Sequence, residues 1–180
     1  MPSEANLKFT INYDVTELNL TATQRKDLGN KVIERIVDRT REEQLDKNNK
    51  PWKTPTYSEA YAKSEDFKIA GKQKGTVNLT LTGDMLDDLK VIEHGVGYID
   101  IGYKTSYSGA GKVEGNVIGS YGKPNPRPKL ARDFLGIKKD ELGFLLEDVV
   151  RPTIAETFKE MTQSQVNKAV KSILASIKIE

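Results

Sequence analysis

The chain has 180 residues, 37% hydrophobic and 30% charged, with a formal net charge of +2. That length suits one domain with a real core, and the near-balanced charge by itself points to neither nucleic acid nor a membrane surface. The absence of cysteine excludes disulfides, thiol catalysis and thiolate metal sites, the opening MPSEANLKF lacks the pattern of a secretion signal, and no run is apolar enough to span a bilayer.

In chain order, LKFTINY (residues 7–13) alternates Leu7, Phe9, Ile11 and Tyr13 with Lys8, Thr10 and Asn12. That period of two predicts a half-buried strand. Thr21 and Gln24 fit a capping box, and Leu28, Val32, Ile33, Ile36 and Val37 continue as a helical stripe to about Leu45. DKNNKPWKTPTY ends this helix with two prolines and the only tryptophan. SEAYAKSEDF predicts a short helix. TVNLTLTGDMLDDLKV then predicts a strand through Val77, Leu79 and Leu81, followed by a helical turn capped by Asp84 or Thr82 with Met85, Leu86 and Leu89 inward. Two β-like runs follow, around residues 90–93 and 98–104, with His94-Gly95-Val96-Gly97 as the hairpin connection.

Between residues 104 and 139 the composition shifts. Eight cations (Lys104, Lys112, Lys123, Arg127, Lys129, Arg132, Lys138, Lys139) face two acids, Glu114 and Asp133. Five glycines loosen the first half and three prolines stiffen the second. Helical periodicity returns after Gly136 in Leu142, Leu145, Leu146, Val149 and Val150, then in Ile154, Phe158 and Met161, and finally in Val166, Val170, Ile173 and Ile177. The expected architecture is α+β in a single domain, residues 1–180. A small antiparallel sheet packs on a long N-terminal helix and on C-terminal helices over 139–180, and an extended basic Gly/Pro-rich arm spans 106–130.

The sequence offers little chemistry. His94, the only histidine, sits among glycines with no cysteine or acid pair to complete a metal site. SYSGAGKV only partly follows a phosphate-binding loop: Ser106 holds the place of the first glycine, Val113 that of the magnesium-binding hydroxyl, and no helix is expected to follow. Asp84, Asp87 and Asp88 are explained by helix capping and the helix dipole. No nucleophile–base set can be placed, so neither catalysis nor a cofactor is expected. The basic span remains: a long loop of this kind suggests contact with a polyanion or a neighbouring subunit. With only Tyr103, Tyr107 and Tyr121 inside it, base stacking is not expected.

The order of the motifs is similar to that of a known family. After the long helix come Pro51-Trp52-Lys53, then Leu81-Thr82-Gly83-Asp84-Met85-Leu86, a hairpin, GNVIGSYG ending at Tyr121-Gly122, and Ala131-Arg132-Asp133-Phe134-Leu135-Gly136 before a C-terminal helix. This order resembles the phage virion morphogenesis family, the tail-completion proteins of tailed bacteriophages. Asp133 stands where that family's signature has proline, and the stretch before Gly122 lacks the histidine often found there. The resemblance implies a non-enzymatic protein of the virion, made in the bacterial host cytoplasm. Such a protein joins tail to head as a ring of identical subunits, expected to be a hexamer, around the DNA channel. Its partners would be connector or neck proteins and tail-tube or tail-terminator proteins, with no membrane. Lys104, Lys112, Lys123, Arg127, Lys129 and Arg132 would touch a neighbouring subunit or DNA phosphates, while Phe134, Leu135 and Gly136 would anchor the arm. The alternative is a sequence-nonspecific nucleic-acid-binding module.

Overall fold

The structure, a computed structural model, describes residues 3–15, 19–52, 56–75, 77, 79, 84–120, 127–157 and 163–179. It is an α+β fold. Its sheet contains β1 (Lys8–Asn12), β2 (Lys90–Gly95), β3 (Tyr98–Gly102) and β4 (Lys178–Ile179), ordered β2-β3-β1-β4 with every pair antiparallel. Phe9 pairs with Ile101 and Ile11 with Ile99, so alternation turns one buried row of each strand to the core. The hairpin turn is only Val96-Gly97, with Gly97 at φ 87°. His94 and Gly95 belong to β2, opposite Ile99 and Tyr98, rather than to the connection as expected. The C-terminal residues, read as helical to the end, instead include β4. Ile177 is buried, and the next two residues pair with the free edge of β1.

The long helix α1 (Ala22–Asp38) starts where the sequence indicates. The Thr21 hydroxyl accepts from the Gln24 N–H at 3.2 Å, and the Gln24 side chain accepts from the Thr21 N–H at 2.9 Å. Leu28, Val32 and Ile36 are fully buried. A Cβ at Gly29 would collide with the Val91 side chain, so this small residue lets α1 lie close on β2. After Asp38 the helix widens into one π turn, Arg39–Glu43, ended by left-handed Gln44 at φ 57°. The wide turn directs Arg39 and Thr40 into the core.

SEAYAKSEDF forms two helices, α2 (Glu59–Ala62) and α3 (Glu65–Ile69). Ser58 caps the first and Ser64 starts the second by accepting from the Phe67 N–H. Tyr57, Tyr61 and Phe67 meet edge to face with centroids 5.2–5.4 Å apart. The strand expected through Val77 and Leu79 does not form at those residues. The Val77 carbonyl accepts from the Trp52 indole at 2.9 Å, and Leu79 has φ 54°, which breaks a pleat. Leu81, Thr82 and Gly83 lie outside the described residues. The turn α4 (Asp84–Asp87) follows, with Leu86 and Leu89 buried.

The largest correction falls in the basic span. Residues 110–118, expected to be part of an extended arm, are a helix, α5 (Ala110–Ile118). Ala110, Val113, Gly115 and Asn116 give it a buried face despite four glycines in or beside it. The N-terminal segment clamps it: the Ser3 N–H and the Asn6 side chain both donate to the Glu114 carboxylate, at 2.9 and 3.0 Å. Gly119 ends α5 at φ 75°, where a Cβ would collide with the Arg127 carbonyl. Beyond residues 121–126 the chain rejoins this end, with the Arg127 N–H donating to the Gly119 carbonyl at 3.2 Å. A single 3-10 turn covers Pro128–Leu130.

Helix α6 (Lys139–Thr157) carries Pro152, packs on α1 and buries Leu142, Leu146, Val149 and Val150. Helix α7 (Gln163–Ser176) packs back on α6, where Gly143 faces Leu174. Phe158, Met161 and the side chains of Ile154, Val166, Val170 and Ile173 lie outside what is described. Ile177, grouped by sequence with the last helical stripe, lies beyond the end of α7 and is part of this chain's own core.

Candidate functional site

The segment Arg132-Asp133-Phe134-Leu135-Gly136 has no regular secondary structure, yet burial and hydrogen bonds hold it in place. Phe134 is fully buried and Leu135 nearly so. Arg39, with no solvent exposure, donates from one guanidinium nitrogen to the carbonyls of both Phe134 and Gly136, each at 2.8 Å. Its charge faces Glu141 of α6 at 3.5 Å, and burial pulls its pKa below the ordinary arginine value. Glu141 is shared with Arg35, which donates to it at 2.7 Å and also pairs with Glu43. One buried fork therefore ties the π turn, the signature loop and the start of α6 together. Gly136 at φ 146° supplies a backbone conformation that other residues rarely adopt. Phe134 and Leu135 are therefore core residues, and Gly136 makes the turn that precedes α6.

Asp133, where the resembling signature has proline, also has a structural role. Its carboxylate meets the Lys47 ammonium at 2.8 Å, and its carbonyl accepts from the Lys47 N–H at 2.7 Å. Burial raises its pKa, a shift that Lys47 only partly offsets. Proline at this position would keep the carbonyl contact and lose the ion pair.

Beside this root opens a cleft of about 790 Å³. Its cations come from separate segments: Lys72 after α3, Lys112 on α5, and Arg127 and Arg132 on either side of the 3-10 turn. Tyr57, Tyr61 and Tyr107 add aromatic surface, Leu79, Met85 and Leu130 add apolar surface, and Asp88 contributes a carboxylate. Lys72 donates to the Tyr57 hydroxyl at 2.8 Å and lies 4.6 Å from that ring's centroid. The Arg132 guanidinium is 5.6 Å from the same ring. Burial, reinforced by the charge of Arg132, pulls the Lys72 pKa down to about 8. Tyr107 stacks on buried Tyr103 with centroids 5.0 Å apart and planes 24° apart, while the Tyr103 hydroxyl donates to the Met85 carbonyl.

The six cations picked from sequence separate here. Lys112 and Arg127 meet at the cleft and are exposed. Lys104 and Lys129 are exposed but do not line it, and Lys123 lies outside the described residues. Arg132 is a correction: it is 8% exposed and donates to the Thr56 carbonyl at 3.3 Å, so it belongs to the wall of the cleft rather than to a free contact surface. Sequence reasoning missed Lys72, Tyr57 and Tyr61, which come from a segment far from the basic span. It also missed the helix that begins at Ala110, after SYSG. Gly109 caps that helix and lines the cleft, although Ser106 and Val113 still depart from a phosphate-binding loop.

His94 stands in β2, and Asp87 pairs with Arg41 on the surface. Among the described residues no group of three His, Asp or Glu side chains could hold a metal ion, and no helix is long and apolar enough to cross a membrane. No family model, no curated protein and no solved structure matches this chain.

Proposed function

We propose that this chain is a structural virion protein of a tailed bacteriophage. In this reading it is a tail-completion or neck component that joins tail to head as a homo-oligomeric ring, taken as a hexamer, around the DNA channel. The observation that carries the proposal is that the segments behind the family resemblance, distant in sequence, are bonded to one another. The Arg132 N–H donates to the Asn116 carbonyl at 2.6 Å, linking ARDFLG to GNVIGS. The Asn116 amide reaches the Met85 sulfur at 3.9 Å, linking GNVIGS to GDML. These two contacts, between described residues of three segments that occur in the family's order, support the reading. Phe144 on α6, 71% exposed, offers an apolar contact for a neighbouring copy on the face away from α1.

The test is assembly. The purified chain is mixed with the connector and with tails of the phage that encodes it, and particles are followed by sedimentation and electron microscopy. The proposal expects a ring-sized species on the tail or connector, and Arg127→Ala should weaken it while leaving the fold intact. A chain that stays monomeric and binds neither structure would refute it. A second reading, a sequence-nonspecific nucleic-acid-binding module, is favoured by the convergence of Lys72, Lys112, Arg127 and Arg132 on one cleft. It expects affinity for duplex DNA that falls steeply with salt, and no binding at low salt would remove it.

A further inference from the structure

We infer that the cleft between α2, α4, α5 and the 128–130 turn is a binding site for a phosphorylated nucleoside unit, with its ring on Tyr107 and its phosphate among the cations. Neither the ring-assembly role nor non-specific attraction to duplex DNA requires such a site.

The volume of about 790 Å³ falls within the ~300–1,000 Å³ of small-molecule sites, well beyond what a bare phosphate needs. Charge is the first argument. Lys72, Lys112 and Arg127 line the cleft, and none of them makes an ion pair among the described residues. Lys72 and Arg132 are held against one tyrosine ring, close enough for Arg132 to lower the lysine's pKa. Holding like charges together costs free energy that a bound anion would recover. Cations from separate segments converging on one space suit a compact, multiply charged group. Gly109 at the start of α5 adds a helix N-terminus, whose free N–H groups and dipole favour phosphate.

The second argument is shape. Tyr107 is backed by Tyr103, which is 1% exposed, so its ring is fixed before any ligand arrives. A planar base packs on the part of the Tyr107 ring that lines the cleft, beside Gly109. Met85, Leu79 and Leu130 give the base an apolar setting. Asp88 can accept from an exocyclic amine or a sugar hydroxyl, a role that a site for simple anions would not want.

The ligand could be a free nucleotide or the phosphorylated end of a single strand, and the experiment distinguishes them. Titration calorimetry of the full chain at pH 7 and low salt compares dAMP, adenosine and orthophosphate, then oligothymidylate with and without a 5′ phosphate. The inference expects dAMP to bind at least about tenfold more tightly than orthophosphate, the lower range for stacking one base. Lys112→Glu and Tyr107→Ala should each weaken dAMP about tenfold or more, without a change in melting temperature for the exposed Lys112 variant. Tighter binding of the 5′-phosphorylated strand than of dAMP assigns the site to strand ends, and the reverse order assigns it to free nucleotide. Equal affinity for orthophosphate and dAMP, or an unchanged Lys112→Glu variant, would overturn the inference. Because the monomer suffices for these measurements, failure here leaves the assembly proposal standing, and failure of assembly leaves this site standing.

Discussion

Arg39→Met removes the guanidinium that holds the signature loop while keeping most of the side chain's volume. Two buried carbonyls, those of Phe134 and Gly136, lose their donor. Leaving a buried acceptor unsatisfied costs about 1–3 kcal/mol each. Against this, the substitution removes a charge whose burial is unfavourable, as its lowered pKa records. Glu141 is not stranded, because Arg35 still reaches it at 2.7 Å. The balance predicts a net loss of about 3 kcal/mol, near the low end of what breaking a buried pair costs. Urea unfolding followed by the fluorescence of Trp52, which is buried and the only tryptophan, measures it directly. A variant within about 0.5 kcal/mol of the parent, or more stable, would show that desolvation cancels the two bonds. The loop would then owe its position to buried Phe134 and Leu135 and to the bonds that Asp133 makes with Lys47.

Phe134→Ala should cost about 3–5 kcal/mol in the same assay, since a fully buried ring leaves a cavity that its neighbours can only partly fill. Lys72→Met should raise the melting temperature at pH 7 while weakening anion binding. The folded-state pKa of Lys72 is about 8, below its ordinary 10.5, so the unfolded chain holds more protons between those values. The parent should therefore gain stability as pH rises from about 8 toward 10.5, and the difference between parent and variant should shrink over that window in pH-dependent thermal melts. Tyr57, Tyr61, Asp88, Lys112, Arg127 and Arg132 share the cleft, and the slope is assigned to Lys72 by its loss in the methionine variant. Phe144→Ser should leave unfolding within about 0.5 kcal/mol, because the side chain is exposed, and should lower the mass of any assembly seen by sedimentation.

The elements with strong periodicity were legible in the sequence. The alternation of Phe9 and Ile11 and the stripe of Leu28, Val32 and Ile36 each appear as the sequence predicts, and the Thr21–Gln24 capping box forms in both halves. The basic span misled because glycine content outweighed pattern. Ala110 and Val113 carry a helical face too short to stand out, and α5 is held largely by contacts made elsewhere, such as Glu114 with Ser3 and Asn6. Leu79 reads as a strand residue by propensity, yet its left-handed backbone comes from the surrounding fold, a tertiary effect that no local pattern encodes. The burial of Phe134 and Leu135 was visible as an apolar interruption in a charged stretch. The loop's partner Arg39 was not, because an arginine on an amphipathic helix ordinarily faces solvent, and only the π turn redirects it. The cleft was half legible: Lys112 and Arg127 stood out by charge, whereas Lys72 and Tyr57 join them only through the packing of α2 and α3.

The role proposed for this chain is to join heads to tails. The most direct measurement is electron microscopy of particles made by the encoding phage with this reading frame disrupted, before and after adding the purified protein. The account predicts filled heads and free tails that join when the protein is supplied. Intact, joined particles formed without the chain would contradict it.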